Sequence, residues 1–379
     1  MSTAYLPPGP YAGQRPPARA AMHAARRDRL RGLLAGCEAD AALVTDLVNV
    51  RYLTGFTGSN AAVLVAAEAP PGGDLFATDG RYVDQAAAQC PDLHRLTTRT
   101  LVHDLMVHSP GITRLAVETH VLSVDAHHTL LAQVDVPVVS LQRGVERLRE
   151  VKDEVEIATL AAACSLSTEA LQGLWAGPLV GRTEREIARD LEARMLALGA
   201  EWIAFDTIVA SGPNSAIPHH EPTGRVVEAG DLLKTDFGAR VDGYHADCTR
   251  TVVVGTEPTG WQREIHAAVQ AAQWAGVQAM AADAPVAEPD AVARQVLDDA
   301  GWLERFTTGS GHGVGLQIHE DPFVGPRHPG RLHDRTPVTM EPGVYLPGRG
   351  GVRIEDTLVV GPGGPSVLTD LPRGLLVVG

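Results

Sequence analysis

The chain has 379 residues, 44% of them hydrophobic and 4% aromatic, and carries a net charge of −14. That length suits two domains with proper cores, packed mainly by Ala, Val and Leu. The acidic balance excludes a general nucleic-acid surface, and no apolar run reaches the length of a membrane span. Its cysteines, Cys37, Cys90, Cys164 and Cys248, are scattered without a CxxC pair, the pattern of a reduced, cytoplasmic protein.

Residues 1–20, MSTAYLPPGPYAGQRPPARA, are rich in Pro, Gly and Ala and lack the apolar core of a signal peptide. They are expected to form a flexible N-terminal tail. From residue 21 to 140 helix and strand patterns alternate, which makes a small α/β domain. MHAARRDRLRGLLAG reads as an amphipathic helix stopped at Gly36, and AALVTD, AAVLVA, DLFATD and RLAVE read as short buried strands. Residues 141–151 form a linker, and residues 152–379 form the second, larger domain. Its first helix has apolar positions at Val155, Leu160, Ala163 and Leu166. TERE at residues 183–186 has the form of a capping box, opening a helix that runs to about residue 198, with Gly199 as its stop. Two further helices are expected near residues 262–281 and 290–300. Helices that bracket hairpins make this domain α+β and not an alternating parallel sheet.

The hairpins carry the chemistry. LLKTDFGARVDGYHADCTRT (residues 232–251) reads as two strands joined at Asp242-Gly243, a dipeptide typical of short hairpin loops. Folding about Asp242 brings Asp236 nearly opposite Asp247. In MEPGVYLPGRGGVRIED (residues 340–356) the turn residues Pro347, Gly348 and Gly350 separate two strand-like runs, and folding about Gly348 puts Glu341 opposite Glu355. Facing carboxylates repel, so each pair requires a neutralising partner, for which a divalent cation is the usual candidate. GSGHGVGLQIHEDP adds His312 and His319 among glycines that permit close backbone approach. Two divalent ions balance four carboxylates, and oxygen-rich ligation suits Mn, Co or Zn better than a thiol-seeking metal. Cys248 adjoins Asp247, but strand alternation turns it to the other face.

The segments DFGARVDGYHADCTRT, GHGVGLQIHE, MEPGVY and GVRIED resemble the pita-bread metallopeptidases: aminopeptidase P, prolidase, methionine aminopeptidase and creatinase. VNVRYLTGFTGSN and DGRYVDQA resemble the amino-terminal domain shared by creatinase, aminopeptidase P and prolidase. The resemblance implies a pita-bread catalytic domain behind a creatinase-like N-terminal domain. It places two divalent metal ions, manganese first with cobalt or zinc as alternatives, on Asp236, Asp247, His312, Glu341 and Glu355. Glu341 also takes the role of proton shuttle. SGPNSAIPHHEPT resembles the segment carrying the family's substrate-side histidine, which gives that role to His219; His319 is a second hydrogen-bond donor. Taken alone, both would read as surface histidines. His220 departs from the small residue many prolidases carry there. Arg353, sharing a strand face with Glu355, is either a counter-ion to the carboxylates or a catalytic donor.

The implied activity is hydrolysis of the bond between an N-terminal residue and proline, as an Xaa-Pro aminopeptidase or Xaa-Pro dipeptidase acting as a homodimer. Two alternatives stand beside it. One is a creatinase-type amidinohydrolase, which lacks the full ligand set found here. The other is a non-catalytic pita-bread protein-binding module, a class that has typically lost ligands. In the N-terminal domain, Asp46 and Arg51 flank an LVNV turn and read either as a surface ion pair or as groups that bind a substrate terminus.

Overall fold

The chain divides into two units, residues 1–149 and 150–379. The computed structural model describes residues 19–68 and 74–379. Residues 1–18 of the expected tail lie outside the described residues, and the first helix, Arg19–Leu34, opens directly after them.

The first unit is built on a mixed sheet. Its strands are β1 (Ala41–Val44), β2 (Ala61–Ala66), β3 (Leu75–Thr78), β4 (His94–Thr97), β5 (Leu115–Val117) and β6 (Val138–Ser140), ordered β4-β3-β2-β1-β5-β6. The central strands are apolar at nearly every position because both faces are covered. The two outer strands escaped sequence reading for the opposite reason. HRLT in β4 is mostly exposed and VVS in β6 only half-buried, so neither presents a buried apolar run. The LVNV segment is the first turn of a helix, Leu47–Thr54, and not a loop: the Asp46 side chain accepts from the Val48 N–H as its N-cap. The first helix ends at Leu34, ahead of Gly36, and tightens into a 3-10 turn over Ala35–Cys37 that Glu38 closes in the left-handed conformation. The expected linker also holds a helix, Gly144–Glu150.

The second unit repeats one plan twice. Helices Glu154–Trp175 and Glu184–Ala197 precede β7 (Trp202–Ile203), β8 (Ile208–Ser211), β9 (Leu232–Phe237), β10 (Ala239–Val241), β11 (Tyr244–His245) and β12 (Cys248–Val254). Helices Gly260–Ala279 and Ala287–Asp299 then precede β13 (Gly311–Gly313), β14 (Glu320–Val324), β15 (Pro337–Met340), β16 (Gly343–Leu346), β17 (Gly350–Arg353) and β18 (Asp356–Val359). Each half has its own core. Leu171, Ile187, Leu191, Leu233, Phe237 and Val252 pack in the first; Ile265, Val269, Leu297, Val338, Leu358 and Val360 pack in the second. Both helices of the first half start with capping boxes, Asp153 with Glu156 and Thr183 with Glu186, the latter as its sequence signals. All four cysteines are free and buried, and Cys248 lies in the first of these cores. Among the described residues no helix is long and apolar enough to cross a membrane.

Candidate metal centre and active site

The first hairpin turns at Asp242 and Gly243, whose φ angles of 45° and 78° are those a two-residue turn between right-twisted strands requires. Its register pairs Asp236 with Thr249, not with Asp247. Asp247 lies two residues back along the partner strand, so it shares the face of Asp236 as a diagonal neighbour. The second hairpin pairs Gly343 with Arg353, and the same register resumes in β15 and β18, where Met340 pairs with Asp356. Glu341 and Glu355 therefore face one another in the gap between two ladders.

Thr249 is one of the residues that join the hairpins. It is the register partner of Asp236 on one side and bridges Glu355 on the other. The Glu355 N–H donates to the Thr249 carbonyl at 3.0 Å, and the Thr249 hydroxyl donates to Glu355 Oε2 at 2.7 Å.

His312 enters from β13, and the flanking glycines are needed there. A Cβ at Gly311 would lie 2.1 Å from the Thr339 carbonyl oxygen, and one at Gly313 would lie 2.4 Å from that of Asp321. His312 Nδ1 lies 3.0 Å from the Gly313 carbonyl oxygen. A carbonyl can only accept, so Nδ1 carries the proton and Nε2 offers a lone pair. That lone pair faces Asp247 Oδ2 at 3.4 Å and Glu341 Oε1 at 3.5 Å.

Acceptors thus meet acceptors. Asp247, His312 and Glu355 each place a ligand atom within 4.8 Å of the others, and Asp236 Oδ1 is buried without a hydrogen-bond partner. Burial, followed by the neighbouring carboxylates, pushes the acid groups of Asp247 and Glu355 well above the usual range. Burial also raises Glu341, against the pull of His312 and Arg353. Hard oxygens with one imidazole nitrogen, close together and short of donors, are a donor set that fits divalent cations. A second acidic group, Asp46, Glu118 and Glu146 in the first unit, is equally close. Most of its oxygens have other employment: Glu118 Oε2 accepts the N–H groups of Thr45 and Asp46, and Asn49 donates to both Glu118 and Glu146 at 2.7 Å, while Glu146 Oε2 is buried without a partner.

The five acceptor residues border a cavity of about 320 Å³, together with His219 and His319. Phe205, Asp206, Ile208 and Ile318 complete its walls. Both histidines are exposed to it, and the His319 ring meets the His312 ring edge-on at 4.4 Å.

The loop carrying His219 is held from two sides. On one, fully buried Glu184 accepts from the Ser211 N–H and hydroxyl, the Asn214 amide, and the Thr223 N–H and hydroxyl, at 2.6–3.0 Å. Its Oε2 also lies 2.8 Å from His220 Nε2, so His220 is a buried anchor turned away from the cavity. On the other side, Lys234 Nζ donates to the carbonyls of Ile217 and Pro218 at 2.5 and 3.2 Å, directly before His219. Arg353 donates to the same Pro218 carbonyl at 3.1 Å, to the Tyr345 hydroxyl at 2.8 Å, and to the Asp236 carboxylate. With only 2% exposure, its guanidinium is committed to these partners.

Sequence reading missed Glu184, Lys234 and Asp206. Glu184 was hidden inside the capping box, where an acid in the first helical turn needs no other explanation. Lys234 did leave a signal: a lysine within the otherwise buried strand LLKTDF must find acceptors for its ammonium.

Residues 158–362 match Metallopeptidase family M24, and residues 26–151 match the Creatinase/Prolidase N-terminal domain. The peptidase YqhT of Bacillus subtilis is 34% identical over 93% of this chain and 99% of its own. Among solved structures, an Xaa-Pro dipeptidase from Bacillus anthracis superposes with a TM-score of 0.90 at 34% identity, covering 94% of this chain and 100% of that one. An X-Pro aminopeptidase from Thermotoga maritima gives 0.84 at 35% identity, covering 93% and 99%. With its ligand-type residues gathered around one peptide-sized cavity and a creatinase/prolidase domain ahead of it, this chain belongs to the M24 metallopeptidases.

Proposed function

We propose that the protein is a dinuclear-metal Xaa-Pro peptidase of the cytoplasm, hydrolysing the bond between an N-terminal residue and proline as a homodimer. The convergence of His312 Nε2 on Asp247 and Glu341, acceptor against acceptor, carries this reading. Asp236, Asp247, His312, Glu341 and Glu355 would hold two divalent ions, manganese first with cobalt or zinc as alternatives. Metal bound there supplies water of lowered pKa and a Lewis acid for the scissile carbonyl. Likeness to both a dipeptidase and an aminopeptidase supports the Xaa-Pro bond and leaves substrate length to experiment.

Glu341 moves the proton from the attacking water to the leaving proline nitrogen. Its side chain is 21% exposed, against 10% for Asp236 and 6% for Asp247, so it has the freest approach to the cavity. His219 and His319, exposed on the cavity wall, donate hydrogen bonds to the developing oxyanion. Arg353 acts as counter-ion to Asp236 and fixes its orientation from behind.

The test is a substrate series on protein loaded in turn with Mn, Co and Zn. Release of alanine from Ala-Pro or Ala-Pro-Ala, with Ala-Ala-Ala left intact, is the expected result. Failure to cleave any Xaa-Pro peptide with any of the three metals would overturn it.

A further inference from the structure

The cavity holds one carboxylate outside the proposed ligand set. Asp206 lies on its wall and is exposed, and among the described residues its carboxylate has no hydrogen-bond or ion-pair partner. Ile208, the first residue of β8, pairs with Asp236 across β8 and β9, and Asp206 lies two residues before it in the irregular segment that leads into the strand. Asp206 and the acceptor cluster border the same cavity, with Asp206 on the wall beside the cluster.

We propose that Asp206 is the specificity-determining group that pairs with the free α-ammonium of the substrate's first residue. This rests on the Xaa-Pro peptidase reading. In such a substrate the ammonium nitrogen is two bonds from the scissile carbonyl carbon, so it arrives beside the acceptor cluster without being part of it. The carboxylates of Asp236, Asp247, Glu341 and Glu355 would be engaged by the metals, which leaves Asp206 as the wall anion available for a cation. Phe205 and Ile208 flank it on the same wall. A lysine side chain in the first position carries the same chemistry, and the test separates the two sources.

Metal-loaded wild type and Asp206→Asn are compared on Ala-Pro-Ala, N-acetyl-Ala-Pro-Ala and N-acetyl-Lys-Pro-Ala. The wild type should prefer the free over the acetylated alanine peptide in kcat/KM. Asp206→Asn should shrink that preference about tenfold, through KM, with metal content and Tm unchanged. Asp206→Glu should restore part of it. An undiminished preference in Asp206→Asn would overturn the proposal. So would a variant that loses only activity on the acetyl-lysine peptide, since the side-chain ammonium would then be the group read. A binding arm keeps this independent of turnover: calorimetry with L-alaninamide and N-acetyl-L-alaninamide should show the same loss of discrimination in Asp206→Asn, and equal discrimination in both proteins would sink the assignment. If the wild type cleaves no Xaa-Pro peptide, the peptidase reading fails, and the calorimetry still decides whether Asp206 binds an ammonium.

Discussion

At the scale of single residues, the proposed centre separates groups that would hold metal from groups that would meet substrate. Asp236→Asn keeps the side chain's size but removes a charge and a strong donor atom. It is expected to drop metal content below two ions per chain and to abolish activity; elemental analysis showing full loading with normal turnover would refute the hairpin assignment. His219→Ala should instead leave the metals in place and lower kcat by about 10²-fold, the scale of one lost oxyanion donor. Lys234 acts at one remove. Its ammonium grips the two carbonyls that precede His219, so Lys234→Met should lower kcat about tenfold with metals retained. In His219→Ala the same change should do little further harm, because the group being positioned is already gone. Additive losses in the double variant would show that Lys234 works through something other than His219.

At the scale of elements, hairpin turns and caps were legible because a few residues with a specific backbone duty announce them. Asp242-Gly243 and the Thr183–Glu186 box behave as their chemistry demands. The second hairpin's facing acids followed from its turn alone. The first hairpin's did not, because its centre lies between Asp242 and Gly243 and folding about Asp242 alone shifts the register: Asp236 meets Thr249, and Asp247 takes the diagonal. Outer strands β4 and β6 and the helix in the linker carry no strong period, which is why they stayed hidden. The loop over residues 211–223 was illegible for another reason, since its order comes from Glu184 on a distant helix. Burial would raise this carboxyl, but hydrogen bonds from Thr223, His220, Asn214 and Ser211 outweigh it and hold it at about 2, below its ordinary 4.5. A folded-state value below the unfolded one stabilises above pH 4.5, and that contribution, on the order of 3 kcal/mol, is lost as pH falls toward 2. Glu184→Gln should therefore be less stable near neutrality and show a shallower loss of Tm between pH 4.5 and 2. An acid limb as steep as wild type's would argue against it.

At the scale of the whole molecule, the two units divide the labour seen in sequence: a mixed sheet with no cavity chemistry assigned to it, and a doubled helix-and-hairpin unit that holds the centre. The proposed metal centre draws all of its residues from 150–379, and the proposed homodimer would give the first unit another use. Light scattering is expected to give about twice the chain mass of 40.1 kDa. A fully active monomer would remove subunit association from the account of this site.

The bridge at Thr249 also sets an order of assembly. Each hairpin closes over a turn of two or three residues, an event of about 1–10 μs. The contact from Thr249 to Glu355 spans 106 residues, and closing a loop of that length costs about 4 kcal/mol in chain entropy. Both hairpins can therefore form early and separately, each with only two of the five proposed ligands, His312 coming from β13. The centre comes into being when the two halves of the unit dock, late on the folding route and after nearly all of the chain has been made. Metal ions bound at the proposed centre would then act as a latch on a finished fold, adding stability in proportion to how tightly they bind the docked state without seeding either half.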